Sequence, residues 1–230
     1  MKKKKELHNI VGKIKQRIYA ATNGIITFKE QKMGQARTLS DKELNLLLLY
    51  IKTRKFASRD RAMVLMTYWS GARIKEVALT KISDVLDADG TIKREIRLTA
   101  QQTKGKYART IVLAEKLRSE LKNYLLARFN TNNLIPITYT EQYNKPLFST
   151  QKREGFNANT ACYHMHSLYK AAGLSYASSH SGRRTFLTNL SAKSVPLKVL
   201  MELANHRQAQ TTMRYISITA DMKRAAVELI

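Results

Sequence analysis

Cysteine is nearly missing from this chain, since Cys162 is its only one. A single thiol cannot form an internal disulfide framework, so the disulfide-rich secreted folds are excluded and a reducing cytoplasm fits. Long apolar runs are missing as well. The lysines at positions 2–5 look like the start of a signal peptide, but residues 8–17 are amphipathic and charged. We therefore expect a cytoplasmic protein that is neither secreted nor inserted in a membrane.

Acidic residues are scarce: 17 Asp and Glu stand against 41 Lys and Arg, which gives a formal net charge of +24. Such an excess, spread along the chain, indicates a polyanionic partner, for which a nucleic-acid backbone is the default. The alternative is a basic surface that serves solubility, or a protein of the ribosomal type. With 43% hydrophobic residues among 230 positions, the chain can bury a sizeable core, as one large domain or one domain and an arm.

The pattern of apolar residues predicts mostly helices behind a basic arm. Residues 1–37 are predicted to form a basic helical arm and linker, and residues 38–230 one domain that ends in an amphipathic tail helix. Ser40 and Glu43 form a capping-box pattern that opens the first helix of this domain. Further helices are predicted at about 58–69, 73–79, 114–129, 159–172, 181–193, 196–205, 210–215 and 219–230.

One β-hairpin is predicted among these helices. Residues 94–99 and 109–113 alternate between apolar and polar side chains, and they frame a turn at 104–106. Residues 130–156 are predicted to be a loop with a short extended piece at 146–148. The expected fold class is therefore α+β, mainly α, with a small antiparallel sheet.

Six residues of the types needed for phosphodiester chemistry are spaced along the chain: Arg73, Lys104, His180, Arg183, His206 and Tyr215. Arginines can bind both non-bridging oxygens of a phosphate and stabilise the charge that builds on them. A lysine can protonate the leaving oxygen, a histidine can exchange protons near neutral pH, and a tyrosine can be a covalent nucleophile. Such a set can act on a phosphodiester without a metal ion or any other cofactor.

The order and context of these residues resemble the catalytic domain of the tyrosine recombinases, the phage integrase family. Residues 70–76 match the family's Thr-Gly-x-Arg-x-x-Glu turn, with serine in place of the threonine. Residues 180–183 match its His-x-x-Arg box, and residues 200–206 match its Leu-x-x-x-x-Gly-His box. Tyr215 follows His206 by nine positions, as the family nucleophile does. Asn205 replaces the usual glycine, but asparagine tolerates the left-handed backbone that glycine supplies at a helix end. The resemblance extends from about Arg37 to the C-terminus.

The resemblance implies a role for each of the six residues in site-specific DNA cleavage and rejoining. Tyr215 would attack the scissile phosphate and give a 3′-phosphotyrosyl enzyme with a free 5′-hydroxyl. Because the covalent link conserves the energy of the phosphodiester, ligation would need no ATP. Arg73 and Arg183 would clamp the phosphoryl oxygens, with His206 as a further hydrogen-bond donor. Lys104 would protonate the leaving 5′-oxygen, and His180 would assist proton movement at the phenol.

Several of these residues have ordinary structural alternatives. Arg73 could simply pair with Glu76, whose expected role is to orient Arg73 or to cap the helix. Lys106 competes with Lys104 within one turn, and the register of the following strand favours Lys104. Arg184 is predicted to be solvated, because it lies on a different face of the predicted helix from Arg183.

Other polar and aromatic residues are expected to be structural. Cys162 and His166 share a face of a predicted helix, but His164 points away from them, so no metal site is expected. Four aromatic residues are predicted to lie in the core or to serve structure, namely Tyr68, Trp69, Tyr169 and Tyr176.

The resemblance also implies the partners. Double-stranded DNA would be the substrate, and this chain would assemble as a tetrameric synapse, with accessory DNA-bending proteins as further partners. The apolar tail, residues 219–230, would dock on a neighbouring subunit, and docking on its own domain is an equal alternative. Two other functions stay open: a type IB topoisomerase-like enzyme, and a DNA-binding relative that has lost catalysis.

The arm predicts how DNA would be held. Residues 1–37 suffice for one basic helix and a linker, but not for the separate core-binding domain of larger family members. We therefore expect this chain to grip DNA mostly from one face, with modest affinity that falls steeply with salt.

Overall fold

The computed structural model describes residues 36–103 and 107–230, so the predicted arm lies outside the described residues except for its last two. The first elements are α1 (Asp41–Lys52), α2 (Ala57–Ser70), α3 (Ile74–Leu79), α4 (Ile82–Val85), β1 (Glu95–Leu98) and β2 (Arg109–Val112). The later elements are α5 (Glu115–Phe129), α6 (Ile135–Thr138), a 3-10 helix (Glu141–Asn144), α7 (Ala158–Ala171), α8 (Ser181–Ala192), α9 (Leu197–Ala204), α10 (Ala209–Tyr215) and α11 (Ala220–Val227). The predicted fold class is confirmed.

Local signals set the ends of the first two helices. Ser40 accepts a hydrogen bond from the Glu43 amide at 3.3 Å, and the Glu43 carboxylate accepts one from the Ser40 amide at 2.8 Å, so the predicted capping box is confirmed. α2 ends at Gly71, whose backbone is left-handed with φ +66°. A Cβ at this position would lie 2.5 Å from Phe186 on α8, so both conformation and space require glycine.

The helix α2 is central and packs against α8, α5 and α1. Its residues are buried on most sides, which explains why its apolar residues do not form a single stripe. α8 comes closest to α2 at Gly182, where any Cβ would clash with the side chain of Thr67. This close approach brings Arg183, the next residue on α8, to the C-terminal end of α2.

The strands β1 and β2 form the predicted hairpin. They pair antiparallel, with Ile96 opposite Ile111 and Leu98 opposite Arg109. These four side chains are buried, while the alternate positions of both strands are exposed. Arg109 therefore occupies a core-facing position of the sheet. The hairpin tip, residues 104–106, lies outside the described residues.

The segment 130–156, which the sequence predicts to be a loop, contains the short helix α6 and the 3-10 helix. A turn leads into the first of these, because the side chain of Asn133 accepts a hydrogen bond from the Ile135 amide at 3.0 Å, and Pro136 follows in the first turn of the helix. Of the predicted extended piece at 146–148, only Pro146 is in a bridge, antiparallel to Lys81.

Two apolar clusters stabilise the domain. The larger one includes Tyr68 and Tyr169, with Trp69 packed against it, so the predicted core positions of these residues are confirmed. The smaller one is formed by α8 and α9 around Leu187 and Leu200, and the side chain of Tyr215 packs against it. Among the helices of the described residues, none is long and apolar enough to cross a membrane.

Candidate active site

Arg183 lies at the centre of the candidate site and is only 1% exposed. Its guanidinium donates hydrogen bonds to the carbonyl oxygens of Gly71 and Ala204, and to His206 Nε2 at 3.0 Å. Burial, and then the charges of Arg73 and Arg109, lower the pKa of Arg183 to about 9, so it remains a cation at neutral pH. Its Nε is buried and has no hydrogen-bond partner among the described residues.

Glu76 connects two further arginines to this centre. Its carboxylate accepts hydrogen bonds from the Arg73 amide at 2.8 Å and from the Arg73 guanidinium at 2.9 Å, so the predicted contact is present. The same carboxylate pairs with Arg109 at 3.1 Å. Two guanidinium groups pair with this carboxylate, and the charge of Arg183 lies close enough to interact with both, so the cluster has an excess of positive charge. Such a cluster suits an anionic ligand.

Arg109 is a residue of this cluster that the sequence interpretation missed. It donates to the Leu203 carbonyl oxygen at 3.0 Å as well as to Glu76, and burial lowers its pKa. A signal for it exists in the sequence, because Arg109 shares the inward face of its strand with Ile111 and Leu113. A charged residue on the buried face of a strand requires a buried partner.

His206 follows α9 through a left-handed Asn205, with φ +50°, as the sequence predicts. Since a guanidinium can only donate, His206 Nε2 accepts from Arg183, and Nδ1 donates to Thr212 Oγ1 at 3.0 Å. Burial, and then the nearby charges of Arg183, Arg73 and Arg109, lower the pKa of His206 to about 3. Its imidazole is therefore neutral at physiological pH and orients Arg183.

Tyr215 is the last residue of α10 and faces this cluster. Its phenol oxygen lies 3.5 Å from Nδ1 of His180, the residue that precedes α8. The Tyr215 ring centre lies 5.2 Å from that of His206 and 5.5 Å from Cζ of Arg183. The structure thus brings together Tyr215, His180, Arg183 and His206. Arg73 lies close enough for its charge to lower the pKa of Arg183.

Lys104 and its competitor Lys106 lie outside the described residues, so the choice between them remains a prediction. The residues on both sides of this segment are held. The Thr103 hydroxyl donates to the Tyr107 carbonyl oxygen at 2.7 Å, and the Thr103 carbonyl oxygen accepts from Lys75 at 3.1 Å. Arg207, the residue after His206, stacks on Tyr107 with its Cζ 3.8 Å from the ring centre.

The prediction that Arg184 is solvated was wrong. Arg184 is half-buried, and its Nε donates to the Ser217 hydroxyl at 3.1 Å. Burial lowers its pKa. The physical reason is that the chain after Tyr215 turns back over the exposed face of α8, which the sequence pattern of α8 alone does not reveal.

The other residues singled out in the sequence have structural contacts. The Tyr176 hydroxyl donates to Glu43, and Tyr169 is fully buried in the core. His164 lies 2.8 Å from Asp60, which also pairs with Arg59. Within residues 36–103 and 107–230, no group of three His, Cys, Asp or Glu side chains could hold a metal ion.

This fold and this arrangement of arginines, histidines and tyrosine match the domain class that the sequence resembles. The phage integrase family matches residues 37–222, and the chain belongs to this family. The chain is 28% identical over 192 residues to tyrosine recombinase XerA of Pyrococcus furiosus. This alignment covers 84% of this chain and 61% of that protein. The chain thus spans about three fifths of the length of that relative.

Solved structures show the same fold. The crystal structure of XerA recombinase aligns with 89% of this chain and 66% of its own chain, at 22% identity and a TM-score of 0.66. The XerH site-specific recombinase, in a post-cleavage complex with a palindromic difH substrate, aligns with 88% of this chain and 55% of its own, at 22% identity and a TM-score of 0.62.

Proposed function

We propose that this chain cleaves and rejoins double-stranded DNA at specific sites through a 3′-phosphotyrosyl intermediate, in the integration, excision or inversion of a mobile or phage element. The observation that carries the proposal is the position of Tyr215, whose phenol faces His180 and whose ring lies against Arg183 and His206. A phenol beside a buried cationic cluster is suited to attack on a phosphodiester. The recombinase relatives support the same reaction.

The proposed cleavage exchanges one phosphorus–oxygen bond for another. The Tyr215 oxygen forms a bond to phosphorus while the bond from phosphorus to the 5′-oxygen breaks. His180 accepts the phenol proton, and Lys104 donates a proton to the leaving 5′-oxygen. Ligation is the reverse, in which the 5′-hydroxyl attacks the phosphotyrosine. The energy of the diester is conserved, so the reaction needs no ATP.

Arg73 and Arg183 would stabilise the charge on the non-bridging oxygens as it builds. Both remain attached to the protein scaffold, Arg73 through Glu76 and Arg183 through two backbone carbonyl oxygens. Such preorganised cations are worth more in the transition state than in the ground state, and they supply what a metal ion supplies in many nucleases. His206 would act first through Arg183, because both of its ring nitrogens are already bonded.

DNA is the proposed polyanionic partner, and the net charge of +24 supports it. We further propose that the enzyme works in the cytoplasm as a tetrameric synapse, helped by accessory DNA-bending proteins. The C-terminal segment supports self-assembly, because Val227 at the end of α11 is 67% exposed and Leu229 after it is 86% exposed. Apolar side chains at a helix end that are this exposed are typical of a surface that docks on another chain.

A covalent-adduct assay tests the proposed function. The protein is incubated with a pool of nicked DNA duplexes of randomised sequence, from which the short cleaved fragment diffuses away so that ligation cannot follow. We expect an adduct that survives denaturation and maps to Tyr215 by peptide mass spectrometry. Tyr215→Phe should abolish the adduct and leave DNA affinity nearly unchanged, because only the nucleophilic oxygen is removed.

The control is Tyr176→Phe, which removes a phenol that is bonded to Glu43 and should retain the adduct. An adduct that persists in Tyr215→Phe would show that another residue is the nucleophile. Relaxation of supercoiled DNA by isolated subunits, without a specific site, would instead identify an activity of the type IB topoisomerase kind.

A further inference from the structure

The backbone at Tyr215 and two residues after it is hydrogen-bonded to α8. The Thr188 hydroxyl donates to the Tyr215 carbonyl oxygen at 3.3 Å and accepts from the Ser217 amide at 3.1 Å. One turn earlier on the same face of α8, Arg184 Nε donates to the Ser217 hydroxyl at 3.1 Å. Thr188 is 5% exposed, so its side chain is largely shielded from water. We call Thr188, Arg184 and Ser217 the α8 latch.

We propose that Thr188, supported by Arg184, is a positioning residue that fixes the nucleophile for attack, an inference that rests on the proposed role of Tyr215. Tyr215 is the last residue of a seven-residue helix, and the backbone is already extended at Ile216. The end of so short a helix frays unless other contacts hold it. The latch supplies those contacts at the residue that carries the phenol.

Apolar packing alone would hold Tyr215 less specifically. The small cluster around Leu187 and Leu200 attracts the Tyr215 ring, but such attraction is non-directional. Hydrogen bonds to a carbonyl oxygen and an amide two residues apart set the position of the backbone along α8. Because Thr188 lies five residues after Arg183 on one helix, the latch ties the nucleophile and the phosphoryl clamp to the same rigid element.

Thr185 offers a matched control on the same helix. Its hydroxyl accepts from the Leu39 amide at 2.8 Å and donates to the Ser181 carbonyl oxygen at 2.8 Å, and the residue is buried. Thr185→Val and Thr188→Val therefore each remove one donated and one accepted bond to backbone groups from a buried site on α8. Only the second change affects the segment that carries Tyr215.

The experiment measures single-turnover adduct formation on a nicked duplex selected from the randomised pool, at saturating DNA. We expect Thr188→Val to slow adduct formation by about 10- to 100-fold with unchanged DNA affinity, because a small displacement of a reacting group is costly. Thr188→Ser keeps the hydroxyl and should remain within about threefold of the wild type. Thr185→Val should lose thermal stability to a similar extent and cleave at the wild-type rate.

Each other result decides against the latch. A Thr188→Val rate equal to that of Thr185→Val, or a Thr188→Ser variant as slow as Thr188→Val, overturns the positioning role while Tyr215 stays the nucleophile. A wild-type protein that forms no adduct, or a Tyr215→Phe variant that forms one, overturns the proposed function and the latch together. Should Thr188→Val not fold, Thr188→Ala takes its place, because it removes the same two bonds with a smaller side chain: slowed cleavage supports the latch, and wild-type cleavage overturns it.

Discussion

Arg183 receives its position from two other parts of the chain, since its guanidinium is bonded to Gly71 after α2, and to Ala204 and His206 at the end of α9. A fully buried cation that is held this way needs little reorganisation when charge develops on a bound phosphate. Arg73 is different, because its side chain is 21% exposed and is bonded to Glu76 on one side. It is therefore the arginine of the pair that an incoming phosphate can reach first.

Replacement of either arginine should damage the chemical step more than DNA binding. We expect Arg73→Ala to lower the single-turnover cleavage rate by about 10²- to 10³-fold, since it removes a charge that acts mainly in the transition state. Arg183→Ala should do the same and should also destabilise the fold, because two buried carbonyl oxygens lose their donor. Adduct formation at saturating DNA and urea unfolding measure the two effects.

Arg61→Ala is the control for these variants, because Arg61 is paired with Glu120 on another face of α2 and does not touch the cluster. It should cleave DNA at the wild-type rate. A loss in Arg73→Ala that is confined to affinity, with normal cleavage at saturating DNA, would remove Arg73 from the phosphoryl clamp.

The neutral state of His206 leads to a prediction on pH. Its pKa is about 3 in the folded chain, well below the ordinary value of 6.5, because burial and three arginines disfavour the imidazolium. Between these two values the unfolded chain binds a proton that the folded chain does not. The free energy of unfolding should therefore fall as the pH falls from about 6.5 towards 3, and it should be insensitive to this group above 6.5.

Urea unfolding between pH 4 and 8 measures this effect, with His206→Gln as the comparison, since glutamine keeps polar atoms and does not titrate. The difference in unfolding free energy between the two proteins should change with pH only on the acidic side. An NMR titration of the His206 ring with a midpoint near 6.5 would show that the imidazole is not held neutral.

Among the elements, α11 has no buried residue, and its Val227 is 67% exposed. We expect deletion of residues 219–230 to reduce synaptic complexes of several subunits more than binding to a single site, since the removed surface would contact a neighbour. Native gel shifts and sedimentation at equal DNA occupancy measure both. The control is Tyr139→Ser, because Tyr139 is another apolar side chain that is 82% exposed. Equal loss of both complexes would instead indicate that the tail docks on its own domain.

Elements whose ends depend on near neighbours could be predicted from the sequence. The capping box at Ser40 and the left-handed Asn205 are both decided within a few residues. The spacing of the six candidate site residues also identified the family. The structure brings together the five of them that lie in the described residues.

Contacts between distant segments could not be predicted in this way. Arg184 is half-buried because Ser217, more than thirty positions later, turns back onto α8. Arg109 joins the cluster because the hairpin lies against Glu76 and the end of α9. In each case the local pattern is that of an ordinary surface or strand position, and only tertiary packing supplies the partner.

For the whole molecule, the dominant property is charge, with 41 basic residues against 17 acidic ones. A protein with such an excess releases condensed counterions when its lysines and arginines meet DNA phosphates. Affinity for a single site should therefore fall steeply with salt, and non-specific binding should be strong at low salt. Base-specific contacts would add less, so target choice would depend on DNA shape, paired sites or accessory proteins.

The basic residues near the N-terminus provide the test of this view. Residues 2–17 contain seven Lys or Arg and one Glu. Replacement of these seven residues by glutamine keeps the length of the chain. The log–log slope of affinity against salt should then become shallower by about 0.9 for each phosphate that is no longer neutralised. Fluorescence anisotropy on a short duplex across a salt series measures the slope, and an unchanged melting temperature shows that the domain is intact. Wild-type binding that is tight and insensitive to salt would refute the electrostatic account, whereas an unchanged slope in the glutamine variant would show that these residues do not bind phosphates.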